Sequence, residues 1–243
     1  MKKVLFLDFD GVLFDTIKEV YLVNRYISCG VDYFQEINQK EYEKYSHFKY
    51  LIYNIWMFYY YNPLIFKGSY DIVSDFENAI KTRDLKKEEE YCSNFLNLRK
   101  ELILNHYDFW EKLETPYNFF FEIKKLYENG FKDVVIVTKK NKSSIIKRFK
   151  TYDFNFDENK IFARDVLDNY PSKADFMDEY MKKNNYQKAF FVDDNYNNIY
   201  PCEKYENIKT ALALWGNANP NYNGVSEDVA IEKIKEFLKS TNS

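Results

Sequence analysis

Three short apolar runs, each ending in a polar side chain, constrain the fold of this chain more than any other feature. The run "VLFLD" ends at Asp8, "VVIVT" ends at Thr138, and "AFFVDD" ends at Asp193 and Asp194. Continuous apolar runs of this length are typical of strands buried on both faces, as in a parallel sheet. Because ligands bind at the carboxyl ends of such strands, we expect these polar side chains to meet at one edge of the sheet.

Helical segments separate the apolar runs in the second half of the chain. The predicted strands cover residues 2–8, 132–138, 160–163, 188–194 and 208–215. Strands that alternate with helices predict a parallel sheet covered by helices on both faces. The predicted fold class is therefore α/β, with a Rossmann-like parallel-sheet core formed by residues 1–15 and 116–243.

Residues 16–115, between these two core segments, carry a helical pattern instead. Over residues 85–113, apolar side chains mostly recur at steps of three and four, as on one continuous amphipathic helix. Gly30 and the segment around Pro63 and Gly68 supply turn chemistry and are the predicted breaks between helices. We therefore expect an all-helical domain inserted into the α/β core.

Composition argues against several classes of partner. A net charge of −3, spread over interspersed lysines and acids, gives no reason to expect nucleic acid. The most apolar segment, residues 50–66, is interrupted by Asn54, Asn62 and Pro63 and is too short to span a bilayer. We assign it to the interior of the helical domain, with the alternative that some of its rings line a substrate pocket, and expect no membrane partner.

The cysteines and histidines are too few and too scattered for several kinds of site. The three cysteines form no C-x-x-C pair, which predicts neither a zinc site nor a disulfide framework. Two histidines, His47 and His106, leave little material for a histidine-rich metal site or a Ser-His-Asp triad. Reduced thiols in a cytoplasmic protein are the simplest interpretation.

The acids at the strand ends predict a site for a divalent cation. Asp8 and Asp10 flank Phe9, so on an extended strand both side chains point to the same side. The backbone carbonyl of Asp10 is also available where the chain turns at Gly11. Together with Asp193 these groups form a cluster of hard oxygen ligands, which Mg²⁺ prefers. Without a cation, the carboxylates would repel one another.

Phosphoryl transfer requires such an ion, a nucleophile, a proton donor and groups that hold the phosphoryl oxygens. Asp8 is the candidate nucleophile that forms an aspartyl-phosphate, and Asp10 is the candidate acid and base. Thr138 offers a hydroxyl and a backbone N–H to the phosphate, and Lys173 offers an ammonium. The candidate metal ligands are Asp8, Asp10, Asp193 and Asp194, the last either directly or through water.

These motifs resemble those of the haloacid dehalogenase-like phosphohydrolases. The family's first motif, an apolar run followed by DxDGxxxD, is matched by residues 4–15. Its second motif, a strand ending in Thr or Ser, is matched by residues 134–138, and its lysine is matched by Lys173. Its last motif, a strand ending in paired acids, is matched by residues 190–195. Asn198 stands where many relatives carry another acid. The resemblance implies a Mg²⁺-dependent aspartate nucleophile and a helical cap at the type-1 position, which residues 16–115 occupy.

The predicted function is hydrolysis of a small phosphate ester, such as a sugar, polyol or amino-alcohol phosphate. A phosphomutase with the same intermediate stays open, because the motifs do not separate the two reactions. The alternative from another class is a non-catalytic binding module, against which the intact acids argue. A dehalogenase is disfavoured because halide departure needs no acid such as Asp10, and the inserted domain has no distinctive phosphonatase signature. Lys140 and Lys142 compete with Lys173 for the phosphate.

Overall fold

A computed structural model of the protein describes residues 1–240 of the 243-residue chain. The chain divides into two compact units. The first unit combines residues 1–15 with the chain from residue 116 onward, and the second consists of residues 16–115. Both divisions fall where the hydrophobic pattern of the sequence changes.

The strands and helices of the described residues have the following bounds. The strands are β1 Lys3–Leu7, β2 Phe14–Asp15, β3 Thr115–Pro116, β4 Val134–Val137, β5 Ile161–Phe162, β6 Lys188–Asp193 and β7 Ile208–Leu212. The α-helices are α1 Ile17–Cys29, α2 Gln39–His47, α3 Phe58–Phe66, α4 Ile72–Ala79, α5 Leu85–Asn105, α6 Tyr107–Trp110, α7 Asn118–Glu128, α8 Lys142–Thr151, α9 Arg164–Leu167, α10 Lys173–Lys183, α11 Tyr196–Ile199 and α12 Glu227–Lys239.

The first unit is built on a five-stranded sheet with the strand order β5-β4-β1-β6-β7. Every neighbouring pair of strands is parallel. In the centre, Leu5 of β1 is in register with Val134 of β4 on one side and with Phe190 of β6 on the other. This arrangement confirms the predicted α/β fold class, because the apolar runs occupy the interior positions where both faces of a strand are buried.

Helices cover both faces of this sheet, as the alternation of side chains along β1 requires. Leu5 and Leu7 pack in one hydrophobic cluster with residues of α7, α8 and α12. Val4 and Phe6 point to the opposite face, where they pack with residues of α10 and α11. A sheet buried in this way exposes its strand ends rather than its faces, so the polar groups of a site collect at those ends.

The second unit is all-helical and has its own core. α1 to α6 bury a hydrophobic cluster that is rich in aromatic side chains, among them Tyr21, Tyr45 and Phe95. Asn62 is fully buried there and donates hydrogen bonds to the Tyr91 hydroxyl at 2.7 Å and to the Ser28 hydroxyl at 3.0 Å. The apolar segment of residues 50–66 thus belongs to the interior of this unit.

The structure has the predicted break around Pro63 and Gly68, but the break begins later than Pro63. Pro63 lies inside α3, which ends at Phe66, and the chain turns at Gly68, where φ is +89°. Burial of Tyr61 and Ile65 on either side of Pro63 keeps the helix formed despite the lost N–H donor. The predicted helix over residues 85–113 is interrupted at His106, where the backbone leaves the helical conformation between α5 and α6.

Among the described residues, no helix combines the length and the apolar character that crossing a bilayer requires.

Candidate active site

Three adjacent strands of the sheet deliver polar side chains to the same edge. Asp8 follows β1, Thr138 follows β4, and Asp193 is the last residue of β6. Backbone pairing aligns the ends of β1 and β6, since the Asp8 N–H donates to the Val192 carbonyl at 3.0 Å. The hydroxyl of Thr138 is hydrogen-bonded to the Asp8 carboxylate. The structure therefore brings together residues that lie far apart in the sequence.

Three carboxylates at this edge are close enough to share a cation. One oxygen from each of Asp8, Asp193 and Asp194 lies within 4.8 Å of the others, and all three residues are buried. The donor set contains oxygen only, which suits a hard cation such as Mg²⁺ rather than a thiolate-binding metal. The side chain of Asp10 lies outside this group of three.

Lys173 supplies a positive charge to the same cluster. It is the first residue of α10, whose N-terminus is capped by the Ser172 hydroxyl accepting from the Asp175 N–H. Its ammonium lies 2.9 Å from Oδ2 of Asp8 and 2.7 Å from Oδ2 of Asp193. All three side chains are buried, so these contacts are shielded from water far better than a surface ion pair.

Burial governs the ionisation of this cluster. Burial raises the pKa of Asp8 to about 7, with the neighbouring Asp193 adding to the shift and Lys173 and Thr138 opposing it. Burial likewise raises the pKa of Asp193 above its usual range, against the opposing charge of Lys173. For Lys173, burial lowers the pKa, but the charges of Asp193 and Asp8 outweigh it, and its pKa lies above the usual range. One ammonium thus leaves negative charge in the cluster uncompensated.

The loop after β6 and the helix α11 that follows it hold Asp193 through both of its oxygens. The Asn195 N–H donates to Oδ1 at 2.8 Å. The side-chain amide of Asn198 donates to Oδ1 at 3.1 Å and lies 3.0 Å from Oδ2. Asn198 therefore serves as a donor to Asp193 without adding charge to the cluster.

A second loop, which follows β7, holds Asp194, and no pattern in the sequence indicated this role. The backbone N–H and the side-chain amide of Asn217 donate to Oδ2 of Asp194 at 2.7 and 2.8 Å. A Cβ on Gly11, where φ is +75°, would overlap that same oxygen. A Cβ on Gly216 would overlap the Gly11 carbonyl oxygen. The two glycines thus let three chain segments approach one another around Asp194.

Asp10 lies beside this cluster and contacts a different lysine. Its Oδ1 is 3.0 Å from the ammonium of Lys140, which follows Thr138 by two residues. The Lys140 side chain is fully buried, whereas that of Asp10 is 34% exposed. Lys140 therefore contacts the candidate acid and base, while Lys173 contacts the candidate nucleophile, and Lys142 begins α8.

Comparisons with known proteins establish the fold. The sequence matches no protein-family model and no curated protein. Solved structures do match it over nearly the whole chain, and they include haloacid dehalogenase-like hydrolases. The chain therefore has the haloacid dehalogenase-like fold, which confirms at the level of the fold the resemblance carried by its motifs.

Three of these structures illustrate the likeness. A haloacid dehalogenase-like family hydrolase from Streptococcus pneumoniae is 13% identical, with a TM-score of 0.60 and 98% of each chain covered. A predicted phosphoglycolate phosphatase from Haemophilus somnus is 15% identical, with a TM-score of 0.58, covering 96% of this chain and 98% of its own. A predicted phosphatase from Clostridium acetobutylicum is 16% identical, with a TM-score of 0.54, covering 97% of this chain and 99% of its own.

Proposed function

We propose that this protein is a Mg²⁺-dependent phosphomonoester hydrolase that acts through an aspartyl-phosphate on a small phosphorylated metabolite. One observation carries the proposal. Asp8 lies in a buried cluster with Asp193 and Asp194, and the ammonium of Lys173 lies within 3 Å of two of the three carboxylates. Such a combination of acids and one ammonium suits a dianionic phosphoryl group and a divalent cation bound together.

The chemistry of the donor set supports Mg²⁺ as the cation. Asp8, Asp193 and Asp194 would hold it through their carboxylates, and Asp10 through its backbone carbonyl. Burial is the main cause of the raised pKa values of Asp8 and Asp193, and the charge of Lys173 does not offset it. When bound, the ion would neutralise charge on the phosphoryl oxygens and keep these carboxylates ionised.

Each residue of the candidate site has its own role in the proposed reaction. A carboxylate oxygen of Asp8 attacks phosphorus, the bond from phosphorus to the ester oxygen breaks, and Asp10 gives its proton to that oxygen. Asp10 then takes a proton from a water molecule that attacks the aspartyl-phosphate, which releases phosphate and restores Asp8. The Thr138 hydroxyl and the Lys173 ammonium hold the phosphoryl oxygens throughout.

Substrate and location follow from the same proposal. We propose residues 16–115 as a cap that selects small esters such as sugar, polyol or amino-alcohol phosphates. Phosphoglycolate joins the candidates because it stands in the name of one protein of similar fold. Neither nucleic acid nor a membrane is a proposed partner. The three free cysteines fit a reducing compartment, so we place the protein in the cytoplasm.

The first experiment measures phosphate release from p-nitrophenyl phosphate with Mg²⁺ or with EDTA. Mg²⁺-dependent release is expected from the unchanged protein and from the control Asp165→Asn, since Asp165 is exposed on α9. Release is expected to disappear in Asp8→Asn. Equal rates with and without Mg²⁺, or an Asp8→Asn variant that retains its rate, would contradict the proposal.

A second experiment separates hydrolysis from the phosphomutase and the binding module. A panel of phosphorylated metabolites is incubated with the protein, and both free phosphate and isomerised ester are measured. A hydrolase releases phosphate from one class of ester, a mutase returns an isomer with little free phosphate, and a binding module yields neither. Acid quenching then tests for phosphoenzyme, which we expect to be absent from Asp8→Asn and to form slowly in Asp10→Asn with a good leaving group.

A further inference from the structure

We propose that Lys140 is a positioning residue for the reaction, and that its buried ammonium holds the carboxylate of Asp10 where it exchanges protons with the ester oxygen and with water. This inference rests on the proposed function and deepens it. None of the sequence motifs includes Lys140, and the sequence indicates it only as a competitor of Lys173 for the phosphate. The structure places its ammonium 3.0 Å from Oδ1 of Asp10 instead.

The two ends of this contact differ in burial. The Lys140 side chain is fully buried, and its ammonium lies 5.3 Å from the centre of the Phe9 ring. The Asp10 side chain is one-third exposed and precedes Gly11, where the backbone turns with φ at +75°. The buried lysine is therefore the fixed end of this contact, and its ammonium can hold the Asp10 carboxylate in one rotamer.

The loop that carries Lys140 also contacts the candidate nucleophile. The Lys140 N–H donates to the Thr138 hydroxyl oxygen at 3.3 Å, and that hydroxyl is hydrogen-bonded to Asp8. Residues 138–140 thus contact Asp8 at one end and Asp10 at the other. Because a displacement of about 1 Å in a catalytic group can cost about 100-fold in rate, a loop that sets the spacing of two catalytic carboxylates affects catalysis without touching the substrate.

The competing role, direct binding of the phosphate by Lys140, makes a different prediction. Lys173 already lies between Asp8 and Asp193, where the transferred group would be held, whereas Lys140 contacts Asp10. A phosphate ligand acts on every ester alike. A residue that positions the general acid matters most when the leaving oxygen is strongly basic and needs a proton to depart.

The experiment uses this dependence on the leaving group. Lys140→Met is compared with the unchanged protein on p-nitrophenyl phosphate, whose leaving group departs readily, and on the best alkyl phosphate of the metabolite panel. With enzyme in excess, release of the phenol or alcohol reports only the first transfer. Lys139→Met is the control, because Lys139 is exposed on the same loop.

For Lys140→Met we expect a loss of about 100-fold on the alkyl ester and less than about fivefold on the aryl ester, because general acid catalysis typically contributes 10² to 10⁴. The control should match the unchanged protein on both esters. Lys140→Gln keeps a hydrogen-bond donor and should lose less on the alkyl ester than Lys140→Met. If thermal unfolding finds Lys140→Met unfolded, the glutamine variant carries the comparison, with the alkyl loss still expected to exceed the aryl loss.

Equal losses on the two esters, or an unchanged rate on the alkyl ester, would overturn the positioning role and leave the proposed function standing. Absence of Mg²⁺-dependent release by the unchanged protein from both esters is a different result. It would contradict the proposed function itself, and this inference with it.

Discussion

The ammonium of Lys173 lies 2.7 Å from Oδ2 of Asp193, with both side chains buried at the start of α10 and the end of β6. A buried ion pair of this kind is costly to break from one side, because the partner is left as an unpaired charge in a poorly hydrated place. In this protein a second carboxylate, that of Asp8, depends on the same ammonium.

We therefore expect Lys173→Met to lower the free energy of unfolding by about 3 kcal/mol at pH 8 in EDTA. The loss should shrink at pH 5, because the two carboxylates can then take up protons. Chemical denaturation at both pH values measures it, with Lys183→Met, exposed at the other end of α10, as the control. A loss equal to that of the control would mean that the ammonium does not support the cluster.

Asp8→Asn should have the opposite effect on stability in EDTA. The pKa of Asp8, raised by burial to about 7 from 3.8, means that the folded state binds a proton more tightly than the unfolded state. The ionisation of Asp8 therefore does not reduce the stability of the folded state below about pH 4, and it reduces that stability by its full amount above about pH 7. We expect the free energy of unfolding of Asp8→Asn to exceed that of the unchanged protein by about 2 kcal/mol or more at pH 8. The difference should vanish toward pH 4.

Chemical denaturation between pH 4 and pH 8 tests this expectation. Asp165→Asn, at an exposed position, should show no such trend. An Asp8→Asn variant less stable than the unchanged protein at pH 8 would mean that the charge of Asp8 is well compensated without a cation.

Affinity for Mg²⁺ should fall as the pH falls through 7. A carboxyl group must lose its proton before it binds the cation, and burial raises the pKa of Asp8 to about 7. The expected decrease is about tenfold per pH unit below that value, for one displaced proton. Calorimetry in buffers of different ionisation enthalpy measures both the affinity and the released proton. A constant affinity between pH 5 and pH 8 would contradict the prediction, and Asp8→Asn should flatten the slope.

Gly11→Ala should weaken Mg²⁺ binding through Asp194. The new Cβ would overlap Oδ2 of Asp194, so the carboxylate must move. Disturbing the support of a metal ligand typically costs about 10- to 100-fold in affinity. Gly130→Ala is the matched control, since its φ of +110° is also unfavourable for alanine but its Cβ would meet no atom within 4 Å. Calorimetric titration with Mg²⁺ should separate the two variants, and equal affinities would refute the steric argument.

Hydrophobic periodicity made the sheet predictable, because β1, β4 and β6 are buried on both faces and read as continuous apolar runs. The ends of these runs located Asp8, Thr138 and Asp193 at one edge. Family spacing selected Lys173, and the structure places it against two of the acids. The catalytic roles of these residues stay predictions.

Contacts made by loops were not predictable in the same way. Lys139 and Lys140 are neighbours of the same type, and only the course of the loop after β4 decides that the second is buried. Asn217 follows a strand that ends without an acid, so its amide gave no signal until the fold brought it to Asp194. Pro63 was assigned to a turn on local chemistry, and tertiary packing of α3 overrode that preference.

The central position of β1 in the sheet has a consequence for folding during translation. Its partners begin at Val134 and Lys188, so the first strand of this sheet to be translated has no partner until β4 has been made. At about 5 to 20 residues per second, roughly ten seconds pass before β4 has been made. During that interval "KVLFL" is an unpaired apolar segment of the nascent polypeptide, and such exposed apolar segments are prone to aggregation and are the reason that chaperones are needed.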